Sequence, residues 1–138
     1  MAKIAMAFGM NVVALSSAKS IYDDLKIAES CTDGSIRLAK DAEDFYRNCD
    51  IISLHCPLAE NNVKMINAAS IAQMKNGVII VNTARGGLVD EADLRAALDS
   101  GKVAAFAADV LSVEPAKKDN PLLSHPKVFL TPHNAWMT

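Results

Sequence analysis

Aromatic side chains are scarce at 5% of the 138 residues, so any core must be built from Ala, Val, Ile and Leu, as in α/β domains. Neither sign of charge dominates. Fourteen Lys and Arg against sixteen Asp and Glu leave a net charge of −2, which supplies no basic footprint for nucleic acid or for an anionic membrane surface. Cysteine is sparse: Cys31, Cys49 and Cys56 are odd in number and form no C-x-x-C pair. That argues against a disulfide framework and for reduced thiols in a cytoplasmic protein. No apolar run approaches the roughly 20 residues of a membrane helix. The start, MAKIAMAFGM, has no cleavage-site pattern and reads as helix, so secretion is not expected. The length suits one domain with a real core, not two.

Against these absences, Val78 to Leu98 (VIIVNTARGGLVDEADLRAAL) is densely marked. Val78–Val81 is a β-branched run too short for a helix, of the kind buried on both faces of a parallel sheet. Asn82 to Gly87 then turn the chain at the strand's carboxyl end. Asp90 is positioned to cap a following helix, with Glu91 and Asp93 at the positive end of its dipole and Val89 placed to staple onto Leu94. Leu94, Ala97 and Leu98 form the apolar face, and Gly101 is the expected left-handed stop.

The remainder alternates strand and helix. Ala2–Phe8 reads as a helix ended by Gly9, Asn11–Leu15 as a strand and Ile21–Ser30 as a helix. A turn at Thr32–Gly34 precedes a weak strand at Ser35–Leu38, then a helix over Asp41–Asn48 and a buried strand at Ile51–Leu54. Asn67 or Ser70 caps a helix running to Met74. Val103–Val110 and Val128–Leu130 are the last strands, separated by a loop from Ser112 to Pro126, and the six methionines read as core filler. This order predicts a Rossmann-like α/β fold, a parallel sheet with helices on both faces. Such sheets open with a strand and a glycine-rich turn that holds a pyrophosphate. The six glycines here contain no G-x-G-x-x-G, and the first element reads as the helix that should follow that turn.

Ligands of an open parallel sheet sit at the carboxyl ends of its strands. Arg85, Glu114 and His133 all lie at or just beyond predicted strand ends. An imidazole at His133 suits proton exchange near neutral pH, and a carboxylate at Glu114 could pair with it. Arg85 offers a donor fork for a carboxylate and a neighbouring carbonyl oxygen. Together they suit protonation at a 2-oxo acid while hydride arrives from a nicotinamide. Taken singly, each also fits an ordinary surface role. Asp109, a carboxylate in an apolar strand, needs a partner, which a structural hydrogen bond could supply. His55 and Cys56 follow a buried strand; with Cys49 they lack any metal-ligand spacing, and no metal site is expected. His125 reads as a surface turn residue. Trp136 fits either a packing anchor or the site.

HCPLAENNVKMIN, MKNGVIIVNTARGGLVDEADLRAAL, ADVLSVEPAKKDNPLL and LTPHNAW closely resemble the NAD(P)-binding domain of the D-isomer-specific 2-hydroxyacid dehydrogenases. DVLSVEP with NPLL and TPHNAW is most similar to the glycerate dehydrogenase (hydroxypyruvate reductase) branch. The resemblance implies substrate binding by Arg85, acid/base action by His133 and support of His133 by Glu114. Cofactor contacts are implied at Thr83, Ala84, Arg85, Asp109 and His133, and beside the adenosine half at Cys56 and Pro57. It further implies NAD or NADP as cofactor, a small 2-hydroxy or 2-oxo acid as substrate, and a homodimer for the full-length parent.

Ser16 stands where the family has an acidic residue after the second strand, so a 2′-phosphate is less strongly excluded. Asn134 replaces a usual aliphatic residue, and Ala105, Phe106 and Ala108 depart from the usual pattern before Asp109. The expectation is a partial NAD(P)-binding domain over 1–138, without the first strand, the glycine-rich turn and the substrate domain, and inactive alone. A dinucleotide-sensing corepressor-like protein and a non-functional gene fragment are the alternatives.

Overall fold

The structure, a computed structural model, describes residues 1–16, 23, 36–135 and 137. It divides into two compact units, Met1–Asn48 and Cys49–Thr138.

In the first unit, α1 (Ala2–Ala7) ends at Gly9, whose φ of +75° is open to glycine without strain. Strand β1 (Val12–Ala14) pairs in parallel with β2 (Ile36–Leu38), Val12 facing Ile36 and Ala14 facing Leu38. Helix α2 (Ala42–Asn48) begins where Asp41 Oδ1 accepts the Asp44 N–H at 2.8 Å, a cap that stops the helix one residue short of its expected start. Both helices pack on β1. Tyr46 is buried, with Phe45 edge-on at 5.8 Å. The expected helix at Ile21–Ser30, apart from a helical Asp23, and the turn at Thr32–Gly34 lie outside the described residues.

In the second unit, β3 (Ile51–Leu54), β4 (Val78–Asn82), β5 (Val103–Ala108) and β6 (Val128–Leu130) form a parallel sheet in that order. The sheet is therefore built in sequence order, and its carboxyl ends share one rim. Val78, Ile80 and Phe106 are buried in its core. Strand β5 ends two residues earlier than expected because its neighbour runs out: Leu130 pairs with Ala108, and the Asp109 side chain turns toward the residues after β6.

Helix α3 (Ala68–Gln73) carries a reciprocal cap. Asn67 Oδ1 accepts from the N–H groups of Ala69 and Ser70, and Ser70 Oγ accepts the Asn67 N–H. Helix α4 (Glu91–Ser100) starts at Asp90, whose Oδ1 accepts from Ala92 and Asp93 at 3.1 Å, and stops at Gly101 with φ +80°. It packs on β5 and on α3. Leu94 and Leu98 are wholly buried, each contributing about 1.5–3 kcal/mol of apolar transfer.

Two readings are corrected. His125 is buried rather than a surface turn residue: its Nδ1 accepts the Lys127 N–H at 3.1 Å, and Nε2 sits 3.3 Å from Asp99 Oδ1. Nor are the methionines generally core filler. Met74 is buried, while Met1, Met10 and Met137 are exposed. Among the described residues, no group of three or more His, Cys, Asp or Glu is placed to hold a metal, and no helix is long and apolar enough to cross a membrane.

Candidate active site

The rim begins at Asn82, the fully buried last residue of β4. Its amide ties down the turn that follows: Nδ2 donates to the Arg85 carbonyl at 2.9 Å, and Oδ1 accepts the Ala84 N–H at 3.0 Å. A buried amide satisfied on both ends fixes the turn more firmly than an apolar residue could. Thr83 and Arg85 are held out to solvent and Ala84 is half-buried. Arg85 is extended, with Nη1 donating to the Ala84 carbonyl at 2.7 Å.

Behind Arg85, a single turn of 3-10 helix (Gly86–Leu88) passes close to the loop after β5. A Cβ at Gly86 would lie 1.9 Å from the Leu111 carbonyl carbon and oxygen and 2.4 Å from the Ser112 nitrogen. The position requires glycine because the loop backbone occupies the side chain's space.

That loop carries Glu114. Its Oε1 accepts the Leu111 N–H at 2.9 Å, and its Oε2 lies 2.6 Å from His133 Nδ1. The hydrogen bond from His133, then that from Leu111, holds the Glu114 carboxyl below the usual carboxylate range against the opposing effect of burial. The carboxylate can only accept, so His133 carries a proton on Nδ1, which leaves Nε2 as the ring nitrogen not engaged by Glu114.

His133 adopts φ +52°, the left-handed region that a residue with Cβ enters only when held there. Asp109 holds it. One carboxylate oxygen accepts from Thr131 Oγ1 and, at 3.0 Å, from the Asn134 N–H; the other accepts the Ala135 N–H at 2.9 Å. The Thr131 hydroxyl leads in pulling the Asp109 carboxyl below its ordinary range, with the Ala135 and Asn134 N–H groups adding to it and burial opposing. The structure thus places Asp109 beneath the His133 turn, whose donors are the partners a buried carboxylate requires.

Arg85, Glu114 and His133 line one cleft of about 240 Å³, with Leu58 and Gly87 on its apolar side. Cys56 and Pro57 lie on the same rim beyond β3. Asn62 fastens that segment, its Nδ2 donating to the Pro57 carbonyl at 2.8 Å and lying 3.9 Å from Cys56 Sγ. His55, also exposed there, pairs with Ser53 Oγ at 2.8 Å. Ser16 follows β1 in the other unit. Trp136 lies outside the described residues.

Sequence reading assigned no role to Asn82 or Thr131. The available signal was an amide closing the apolar run VIIVN and a hydroxyl immediately after the last strand.

Residues 1–135 match the family described as D-isomer specific 2-hydroxyacid dehydrogenase, NAD binding domain. A hydroxypyruvate reductase of Thermotoga maritima is 44% identical over 134 residues, covering 96% of this chain and 40% of that protein. A hydroxypyruvate reductase of Blautia hydrogenotrophica is 42% identical over 134 residues, covering 97% and 39%. The holo form of Rhodotorula graminis D-mandelate dehydrogenase superposes with a TM-score of 0.84 at 30% identity, over 99% of this chain and 38% of that one. The chain thus spans about two-fifths of the length of these curated relatives. It belongs to the D-isomer specific 2-hydroxyacid dehydrogenase family and represents that family's NAD binding domain.

Proposed function

We propose that this chain is the partial NAD(P)-binding domain of an oxidoreductase that reduces a small 2-oxo acid to the D-2-hydroxy acid, with hydroxypyruvate and glycerate as the substrate pair. The observation that carries the reading is the Glu114–His133 pair in the same small cleft as Arg85. Arg85 binds the substrate carboxylate and draws the carbonyl oxygen toward its guanidinium. NADH, when bound, supplies a hydride to the substrate's C2. As the C=O π bond opens, His133 Nε2 gives its proton to the oxygen, and the Glu114 carboxylate stabilises the imidazolium that precedes the transfer. The 42–44% identical hydroxypyruvate reductases support the choice of substrate.

The residues fit the nicotinamide end of the cofactor. Thr83 to Arg85 form an open segment, locked by Asn82, beside the proton-carrying pair, with Asp109 as a second rim carboxylate. Cys56 and Pro57 are assigned to the adenosine side. Ser16 presents no carboxylate to repel a 2′-phosphate, so discrimination between NADH and NADPH is expected to be weak. The whole protein is taken to be a cytoplasmic homodimer. Three cysteines, odd in number and in no C-x-x-C pair, support the compartment, and the exposed Ile4 and Phe8 on and after α1 support an apolar pairing surface.

The test is turnover of hydroxypyruvate by the whole protein with NADH and with NADPH. Arg85→Ala and His133→Ala should each lower kcat/KM by at least about a hundredfold. Full turnover in both variants would refute the assignment.

A further inference from the structure

Glu91, the first residue of α4, has the sequence signature of an ordinary helix-start carboxylate. In the structure both of its oxygens leave the helix. Oε1 accepts the Ser112 N–H at 2.7 Å, and Oε2 accepts from Asn120 Nδ2 at 2.8 Å. These partners lie on either side of Glu114 within the loop that carries it.

Beyond Asn120 the loop is fastened to α4 again, with Arg95 Nη1 donating to the Pro121 carbonyl at 2.7 Å, but the stretch around Ser112 stands between two hollows. On one side is the cleft of about 240 Å³ that holds Arg85, Glu114 and His133. On the other is a second hollow of about 220 Å³, lined in part by Glu91, Val113, Lys117 and Asn120. Ser112 lines both, so the backbone there is a wall between two hollows. Two contacts pin the wall: the close approach of Gly86, in the turn after Arg85, to the Leu111–Ser112 peptide, and the Glu91 carboxylate at the start of α4. On the other side of that peptide, the Leu111 N–H is bonded to Glu114, and Glu114 to His133.

We propose that Glu91 is a positioning residue of the active site, a strut from α4 that fixes the Glu114 loop against the Arg85 turn and so sets the acid/base pair at working distance from the substrate-binding guanidinium. The catalytic part of this inference rests on the dehydrogenase reading; the strut itself does not. A role confined to starting the helix would make the same residue matter for stability alone.

Two variants separate these roles. Glu91→Gln retains one acceptor but turns a donor toward the loop's donors. Asn120→Asp leaves α4 intact, keeps the oxygen that accepts the Leu122 N–H at 2.9 Å, and sets a like charge against Glu91. In the 138-residue chain, labelled with 13C at glutamate side-chain carboxyls, the Glu114 titration midpoint should move upward toward the ordinary carboxylate value in both variants. In the whole protein, kcat for hydroxypyruvate should fall about tenfold while KM changes less than about twofold, the pattern of a displaced proton donor. If the Glu114 titration and kcat both stay at wild-type values while only thermal stability falls, the strut is refuted. Absence of turnover in the wild-type whole protein would instead refute the dehydrogenase reading, and the Glu114 titration would still decide the strut.

Discussion

Glu114 and His133 lie nineteen residues apart in sequence, yet Oε2 of one stands 2.6 Å from Nδ1 of the other. The contact puts a ring proton on the nitrogen that faces the carboxylate, and in the proposed reaction it leaves Nε2 to exchange a proton with the substrate. Glu114→Gln preserves shape but removes the charge. The expected result in the whole protein is a kcat about ten- to a hundredfold lower with little change in KM, measured by steady-state kinetics with hydroxypyruvate.

Gly86 and Gly101 should respond to alanine for different reasons and by different amounts. At Gly86 the new methyl meets Leu111 backbone at 1.9 Å, which no rotamer change can relieve. Gly86→Ala should cost at least about 1–3 kcal/mol and displace the Glu114 loop, lowering activity as well. At Gly101 nothing lies within 4 Å, and the cost is only the left-handed φ of +80°, about 1 kcal/mol, with the cleft undisturbed. Denaturant unfolding with parallel kinetics distinguishes the two.

Asp109 makes stability depend on acid in a defined direction. Its folded carboxyl lies below the usual range, chiefly through the Thr131 hydroxyl. A carboxyl depressed in this way contributes stability that is fully present above its unfolded value, roughly 3.9, and is lost as pH falls through the folded value. Glu114 is lowered in the same sense by His133. Asp109→Asn should therefore be less stable than the wild type at pH 7 and show a shallower loss of stability on acidification below about pH 4. Urea midpoints measured across that range check this. With its amide opposing the N–H donors, the variant should also release the left-handed His133 and lower kcat.

Local signals made much of this fold legible. Helix α4 was bounded correctly because Asp90 and Gly101 act on the backbone within three residues of themselves. Arg85, Glu114 and His133 stood out because each follows a strand in a parallel sheet whose carboxyl ends share a rim. What escaped depends on partners far along the chain. Glu91 bonds residues 21 and 29 positions away, and nothing in VDEADL indicates that its carboxylate turns outward. The burial of His125 likewise depends on the loop after β5 returning toward Asp99 at the end of α4. Asp109 was singled out as a costly buried charge, but its partners are the Thr131 hydroxyl and two backbone N–H groups more than twenty positions away, a pairing that sequence does not display.

The central claim is that Glu114 works through His133 as one acid/base unit. A double-mutant cycle on the whole protein, with Glu114→Gln, His133→Asn and both together, tests it through kcat/KM for hydroxypyruvate reduction. Adding Glu114→Gln to His133→Asn should lower kcat/KM by less than about twofold, because the carboxylate has no imidazole left to support. If the two losses multiply in full, Glu114 acts independently of His133 and the account is contradicted.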